Sequence, residues 1–134
     1  IERVGQGVYR SPFFPPTAQA EAQEAVELVG AGSFLYGQSV LTLLELGSVA
    51  SRKTQVATTK RIRRYLPGYI RVVELAKSHQ IPTHRYLGVR SQSVCEALKS
   101  VKGDLREELL TEAASDALAR GFISREEFDD IVIQ

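Results

Sequence analysis

Thr54-Gln55-Val56-Ala57-Thr58-Thr59 and Gly68-Tyr69-Ile70-Arg71-Val72-Val73-Glu74-Leu75 enclose Lys60-Arg61-Ile62-Arg63-Arg64, and the reading of these three segments decides the fold. The outer two are rich in β-branched and aromatic residues, which suit a pleated, half-buried surface, and they read as strands. A weaker third strand is expected over Thr83 to Val89. The cationic run then connects two neighbouring strands, a place where a fold can hold charge out toward a polyanion. From Ser48 to Arg90 the cations Arg52, Lys53, Lys60, Arg61, Arg63, Arg64, Arg71, Lys77, Arg85 and Arg90 stand against Glu74 alone. From Ser91 to Gln134 five cations meet ten anions, so the formal net charge of +1 conceals a basic middle and an acidic end. Such asymmetry points to a nucleic-acid face, or to two parts that pair with each other.

On the C-terminal side the chain is helical and well punctuated. Ser91 is placed to cap a helix to about Val101, on which Val94, Cys95, Leu98 and Val101 share a face. Asp104 with Glu107 suggests a capping start for a helix to Arg120, and Ser124 with Glu127 an S-x-x-E box for a short last one. On the N-terminal side, a helix from Thr17 to about Val29 turns Ala18, Ala22, Ala25, Val26 and Val29 inward and Glu21, Glu24 and Glu27 outward. A leucine-rich helix follows from Gln38 to Leu46, with Gly47 as its C-terminal cap. Before them, Arg3-Val4 and Val8-Tyr9-Arg10 flank Gly5-Gln6-Gly7 as a tight hairpin too short to stand alone. Ser11-Pro12-Phe13-Phe14-Pro15-Pro16 then breaks regular structure and marks a domain boundary. The fold class expected is α/β (α+β): a small mixed sheet with flanking helices, preceded by a hairpin and ending in an all-helical part.

The 134 residues, 43% hydrophobic and 25% charged, suit one domain with at most a small appendage. The single cysteine, Cys95, has no intramolecular partner, which favours a reducing compartment. No apolar run approaches the roughly 20 residues that span a bilayer, and no signal segment opens the chain, so the reading is a cytoplasmic protein without a membrane role. The chain begins at Ile1 as if inside an element, and an upstream segment is expected.

The chemistry-bearing residues narrow the function classes. His79, His84 and Cys95 do not have the spacing of a structural zinc site, and no metal or cofactor is expected. Cys95 sits on an apolar helix face where a thiol is inert core. No G-x-S-x-G, phosphate-binding glycine loop or H-E-x-x-H is present. Glu74-Leu75-Ala76-Lys77 is only distantly similar to a nuclease carboxylate-lysine pair, and no partner acid is identifiable upstream apart from Glu45, so the chain reads as a non-enzyme. The basic cluster can bind phosphates, releasing counterions as it does so. Tyr65 and Tyr69 beside it can stack on bases or anchor a strand. Two plainer readings stay open: a solvated turn, or a patch that faces Glu107, Glu108, Glu112 and Asp116.

The order of motifs carries a resemblance. The Arg3–Arg10 hairpin, Phe14-Pro15-Pro16, an amphipathic helix and Leu35-Tyr36-Gly37-Gln38-Ser39-Val40-Leu41-Thr42-Leu43-Leu44-Glu45-Leu46-Gly47 come first. Thr54 to Arg64, Gly88-Val89-Arg90-Ser91-Gln92-Ser93-Val94 and the closing helix pair around Ala119-Arg120-Gly121-Phe122-Ile123-Ser124-Arg125-Glu126-Glu127-Phe128 follow. Together they resemble the AbiEi-type antitoxin family of type IV toxin-antitoxin (abortive infection) systems. The resemblance implies that residues 1–12 are the wing of a winged helix-turn-helix whose helices are absent here, and that 13–134 form the C-terminal antitoxin domain. It further implies a transcriptional autorepressor that binds double-stranded DNA at its own operator and opposes a nucleotidyltransferase-type toxin, directly or indirectly. On this reading Arg3, Arg10, Arg52, Lys53, Lys60, Arg61, Arg63, Arg64 and Arg71 are the candidate phosphate contacts. The alternative is a protein-interaction domain, without a DNA role, whose basic patch binds an acidic partner or a second copy of the chain as a homo-oligomer.

Overall fold

The computed structural model describes residues 18–50, 52–62, 65–76 and 83–133, together with the backbone of 2–3 and 9–10. Two short strands, β1 (Glu2–Arg3) and β2 (Tyr9–Arg10), pair antiparallel with Glu2 opposite Arg10, as the hairpin reading expects. The Gly5-Gln6-Gly7 turn, the Thr17 cap and the proline-rich boundary lie outside the described residues.

The sheet has five strands: β3 (Phe34–Leu35), β4 (Thr54–Thr58), β5 (Ile70–Glu74), β6 (Thr83–Tyr86) and β7 (Val89–Gln92), in the order β5-β4-β3-β7-β6. It is mixed. β3 runs antiparallel to β4 and parallel to β7, β4 runs parallel to β5, and β6–β7 is an antiparallel hairpin. The fold is therefore α+β with a small mixed sheet. Its central strand is only two residues long, and Leu35 lies opposite Val56 on one side and Ser91 on the other. Pairing continues beyond the strand: the Tyr36 amide donates to the Gln55 carbonyl at 2.9 Å, and the Gly37 amide to Oε1 of Gln92 at 3.0 Å.

Among the described residues five helices cover the sheet and each other: α1 (Ala18–Val29), α2 (Gln38–Leu43), α3 (Val94–Val101), α4 (Glu107–Ala119) and α5 (Arg125–Ile133). α1 lies against β3, β4 and β7, while α2 packs on α1 and α3, and α3 on α4 and α5. Most of the core is one cluster, in which Val40, Leu41, Leu43 and Leu46 meet Val94, Leu98 and Val101 of α3, Leu110 and Ala113 of α4, and Ile131 of α5. A second cluster joins Ala25 and Val29 of α1 to Val56 and Ile70 of the sheet.

Several boundaries differ from the sequence reading for local physical reasons. The expected third strand over Thr83 to Val89 is a hairpin, turned by Leu87 (φ 53°) and Gly88 (φ 81°). Two positive φ values match a type I′ connection, whose twist suits paired strands. Ser91 is strand, and the cap of α3 is Ser93, whose Oγ accepts from the Glu96 amide at 3.2 Å. Asp104 lies in the turn after α3, and α4 starts at Glu107 behind Arg106, which makes no side-chain cap. α2 ends at Leu43, and Leu44 to Leu46 continue as a tight turn in which the Leu46 amide reaches back to the Leu41 carbonyl at 2.9 Å. Glu24, expected on the outward face of α1, is buried. The Ser124/Glu127 box is formed in both directions: Glu127 Oε1 accepts from the Ser124 amide at 2.8 Å, and Ser124 Oγ from the Glu127 amide at 3.1 Å.

Candidate nucleic-acid interface

β4 and β5 are parallel, so the chain between them must cross back from the end of one to the start of the next. Here the crossover is made by residues 59–69, whose described residues, 59–62 and 65–69, form no helix. It is held against the sheet by its own apolar residues: Ile62, Leu66 and Tyr69 pack on the cluster of Ala25, Val29, Val56 and Ile70. Half-burial of such a side chain contributes roughly 1 kcal/mol. Polar contacts fix the two ends. The Lys60 amide donates to Oγ1 of Thr58 at 3.1 Å, and the Thr54 amide to the Tyr69 carbonyl at 2.8 Å. Tyr69 also donates its hydroxyl proton to the carboxylate of Glu24, which ties the crossover to α1 and explains why that glutamate is buried.

This anchoring sorts the crossover into inward and outward positions. Lys60, Arg61 and Tyr65 are exposed, Tyr65 at 92%, while Ile62, Leu66 and Tyr69 are partly buried. The two tyrosines thus divide their roles: Tyr69 anchors, and Tyr65 presents its ring to solvent beside the cationic run.

The structure also separates the candidate cations. Arg71 is exposed on β5 opposite Gln55, next to the N-terminal end of β4 where the exposed Arg52 and Lys53 sit. Lys60 and Arg61 lie beyond the other end of β4, whose five residues span roughly 16 Å. The spacing exceeds the Debye length of about 8 Å at physiological salt, so these are two electrostatic groups on one sheet edge rather than one patch. Arg63 and Arg64 lie outside the described residues, as do the side chains of Arg3 and Arg10. Among the described residues Arg52, Lys60, Arg61 and Arg71 make no ion pair within 4.0 Å.

The acidic helix engages other groups. Glu112 of α4 accepts from the hydroxyl of Ser48 at 2.7 Å, and Asp116 from the amide of Gly47 at 2.7 Å. Arg120, one turn further, donates to the Leu44 carbonyl at 2.6 Å and lies 5.2 Å from the centre of the Phe122 ring. α4 therefore closes on the exit of α2, and two of the four carboxylates weighed as partners of the basic run are used there.

Cys95 is buried, and its thiol is pushed up to about 11, first by burial and then by donating to the carboxylate of Glu127. His84 is exposed on β6 and stacks on Tyr86 with ring centres 6.0 Å apart; His79 lies outside the described residues. Among the described residues no group of three His, Cys, Asp or Glu is gathered as metal ligands would be, and no helix is long and apolar enough to cross a membrane. The candidate set omitted two cations that the hairpin places side by side, Arg85 and Arg90, which are directly opposite each other in the β6–β7 register. The sequence signal for them was the spacing across Leu87-Gly88, legible only once the turn is located. Compared with known proteins, the chain matches no protein-family model and no curated protein sequence.

Proposed function

We propose that the chain is the C-terminal part of an antitoxin and DNA-binding transcriptional autorepressor, acting against a nucleotidyltransferase-type toxin. The observation that carries this reading is the crossover: Ile62, Leu66 and Tyr69 pack it on the sheet while Lys60, Arg61 and Tyr65 face solvent, with Arg52 and Arg71 exposed at the other end of the same strands and without an ion pair among the described residues. Exposed cations carried on a sheet edge suit phosphate contacts that position a protein on a duplex without reading its sequence. An exposed ring beside them can stack on an unpaired base. Sequence choice then resides in a reader upstream of Arg3, in keeping with the wing-like hairpin. The toxin assignment rests on the motif resemblance alone, and a nucleotidyltransferase reading frame beside this one would support it.

The test is DNA binding by the full protein across a salt series, with Lys60, Arg61, Arg63 and Arg64 replaced by Ala in one variant and Arg52, Lys53 and Arg71 in another. Each phosphate contact removed should lower the slope of log K against log salt by about 1, similarly for operator and unrelated duplexes. Unchanged affinity and slope in both variants, with loss of toxin neutralisation on co-expression, would move the patch to a protein-binding role.

A further inference from the structure

A concavity of about 310 Å³ lies between the C-terminal half of α1, the Gly30–Ser33 turn and the β6–β7 hairpin, at the sheet edge opposite the crossover. Val26 and Val89 form part of its wall, Gln23 and Glu27 stand on the helix side, and Arg85 and Arg90 on the hairpin side. Like charges directly opposite each other on antiparallel strands are destabilising. Among the described residues no carboxylate lies within 4.0 Å of either guanidinium, and Arg85 donates to the Gly88 carbonyl at 3.3 Å. The hairpin is nevertheless held in place, because Nε2 of Gln19 donates to the Leu87 carbonyl at 2.7 Å.

We infer that this concavity binds a small hydroxylated phosphate monoester, its phosphate between Arg85 and Arg90. Two guanidinium forks match the near-dianionic charge and the oxygen geometry of a phosphate. The volume is at the low end of ligand pockets and leaves room for a compact body beside the phosphate. On the far side Glu27, an acceptor, and the Gln23 amide that donates to it at 3.4 Å suit ligand hydroxyls. The same carboxylate, together with the negative end of the α1 dipole, disfavours negative charge on the helix side, so the phosphate lies on the arginine side and the uncharged hydroxyls toward α1. It is independent of the DNA reading and uses none of its residues.

The experiment is calorimetric titration of the full protein with inorganic phosphate and with ribose 5-phosphate, in the wild type, R85A, R90A and E27A. Saturable binding of both is expected, weakened tenfold or more by R85A and by R90A. E27A should weaken ribose 5-phosphate several-fold and leave inorganic phosphate unchanged or tighter. If R90A does not fold, as judged by circular dichroism, R90K keeps the charge but not the fork and should still weaken both ligands. No saturable binding of either, or binding unchanged in the arginine variants, overturns the inference. So does competition in which duplex DNA displaces ribose 5-phosphate through Arg85 and Arg90, which would make the hairpin a backbone contact.

Discussion

The main-chain amide of Gly47 donates to Oδ2 of Asp116 at 2.7 Å, so a carboxylate of the acidic helix closes the exit turn of α2. The approach is close enough that a Cβ on Gly47 would stand 2.9 Å from the Ala113 nitrogen, and the glycine has φ 60°. D116A should therefore destabilise by about 1–2 kcal/mol, the effect of leaving a partly buried donor unpaired. G47A should cost more, about 2–4 kcal/mol, since left-handed backbone and contact with an immovable main chain add together. Urea denaturation of the two variants checks the order; equal losses would mean that the contact between backbones is not tight.

Tyr69 and Glu24 test whether the crossover is fixed by its anchor. Y69F should leave a carboxylate that is only 6% exposed without that donor and destabilise by about 1–3 kcal/mol. E24Q should cost less, because the amide oxygen still accepts. A double-mutant cycle that returns no coupling between the two positions would show that the hydroxyl and carboxylate do not act as a pair.

The Ser124/Glu127 box gives stability a defined pH dependence. The carboxyl of Glu127 is held below its ordinary value of 4.5, chiefly by the Ser124 amide and next by the Cys95 thiol. A folded value depressed in this way stabilises fully above the unfolded value, and the contribution is lost as pH falls through the lower folded one. E127Q should accordingly flatten the fall of unfolding free energy as pH drops below the ordinary value of 4.5. C95A should flatten it less, since the thiol is the smaller of the two donors. A pH profile in E127Q identical to that of the wild type would place the acid sensitivity on other carboxylates.

What the sequence made legible follows from how local each signal is. The capping box needs only four residues, and both of its hydrogen bonds are present. β4 and β5 are rich enough in β-branched residues to be read directly, and their adjacency made the crossover readable as well. Phe34–Leu35 was hidden because two residues carry no period, and its role as the central strand comes wholly from its neighbours on either side. The β6–β7 hairpin was read as one strand because Leu87 occupies a left-handed position where Asn, Asp or Gly is the usual cue. Glu24 looked outward on a helical wheel and is buried because the crossover folds over it, a fact of tertiary structure alone. Arg52, Lys53, Lys60, Arg61 and Arg71 are all exposed, and the strand between Lys53 and Lys60 sets them in two groups, a division that depends on where β4 begins and ends.

The strand order has a consequence for how charge is shared across the molecule. Arg71 on β5 and Arg85 on β6 occupy opposite edges of the sheet, four strand spacings or roughly 19 Å apart. That is more than two screening lengths at physiological ionic strength. Ions in the solvent around the exposed side chains thus screen the two edges from each other, and an anion held at one changes the potential at the other only weakly.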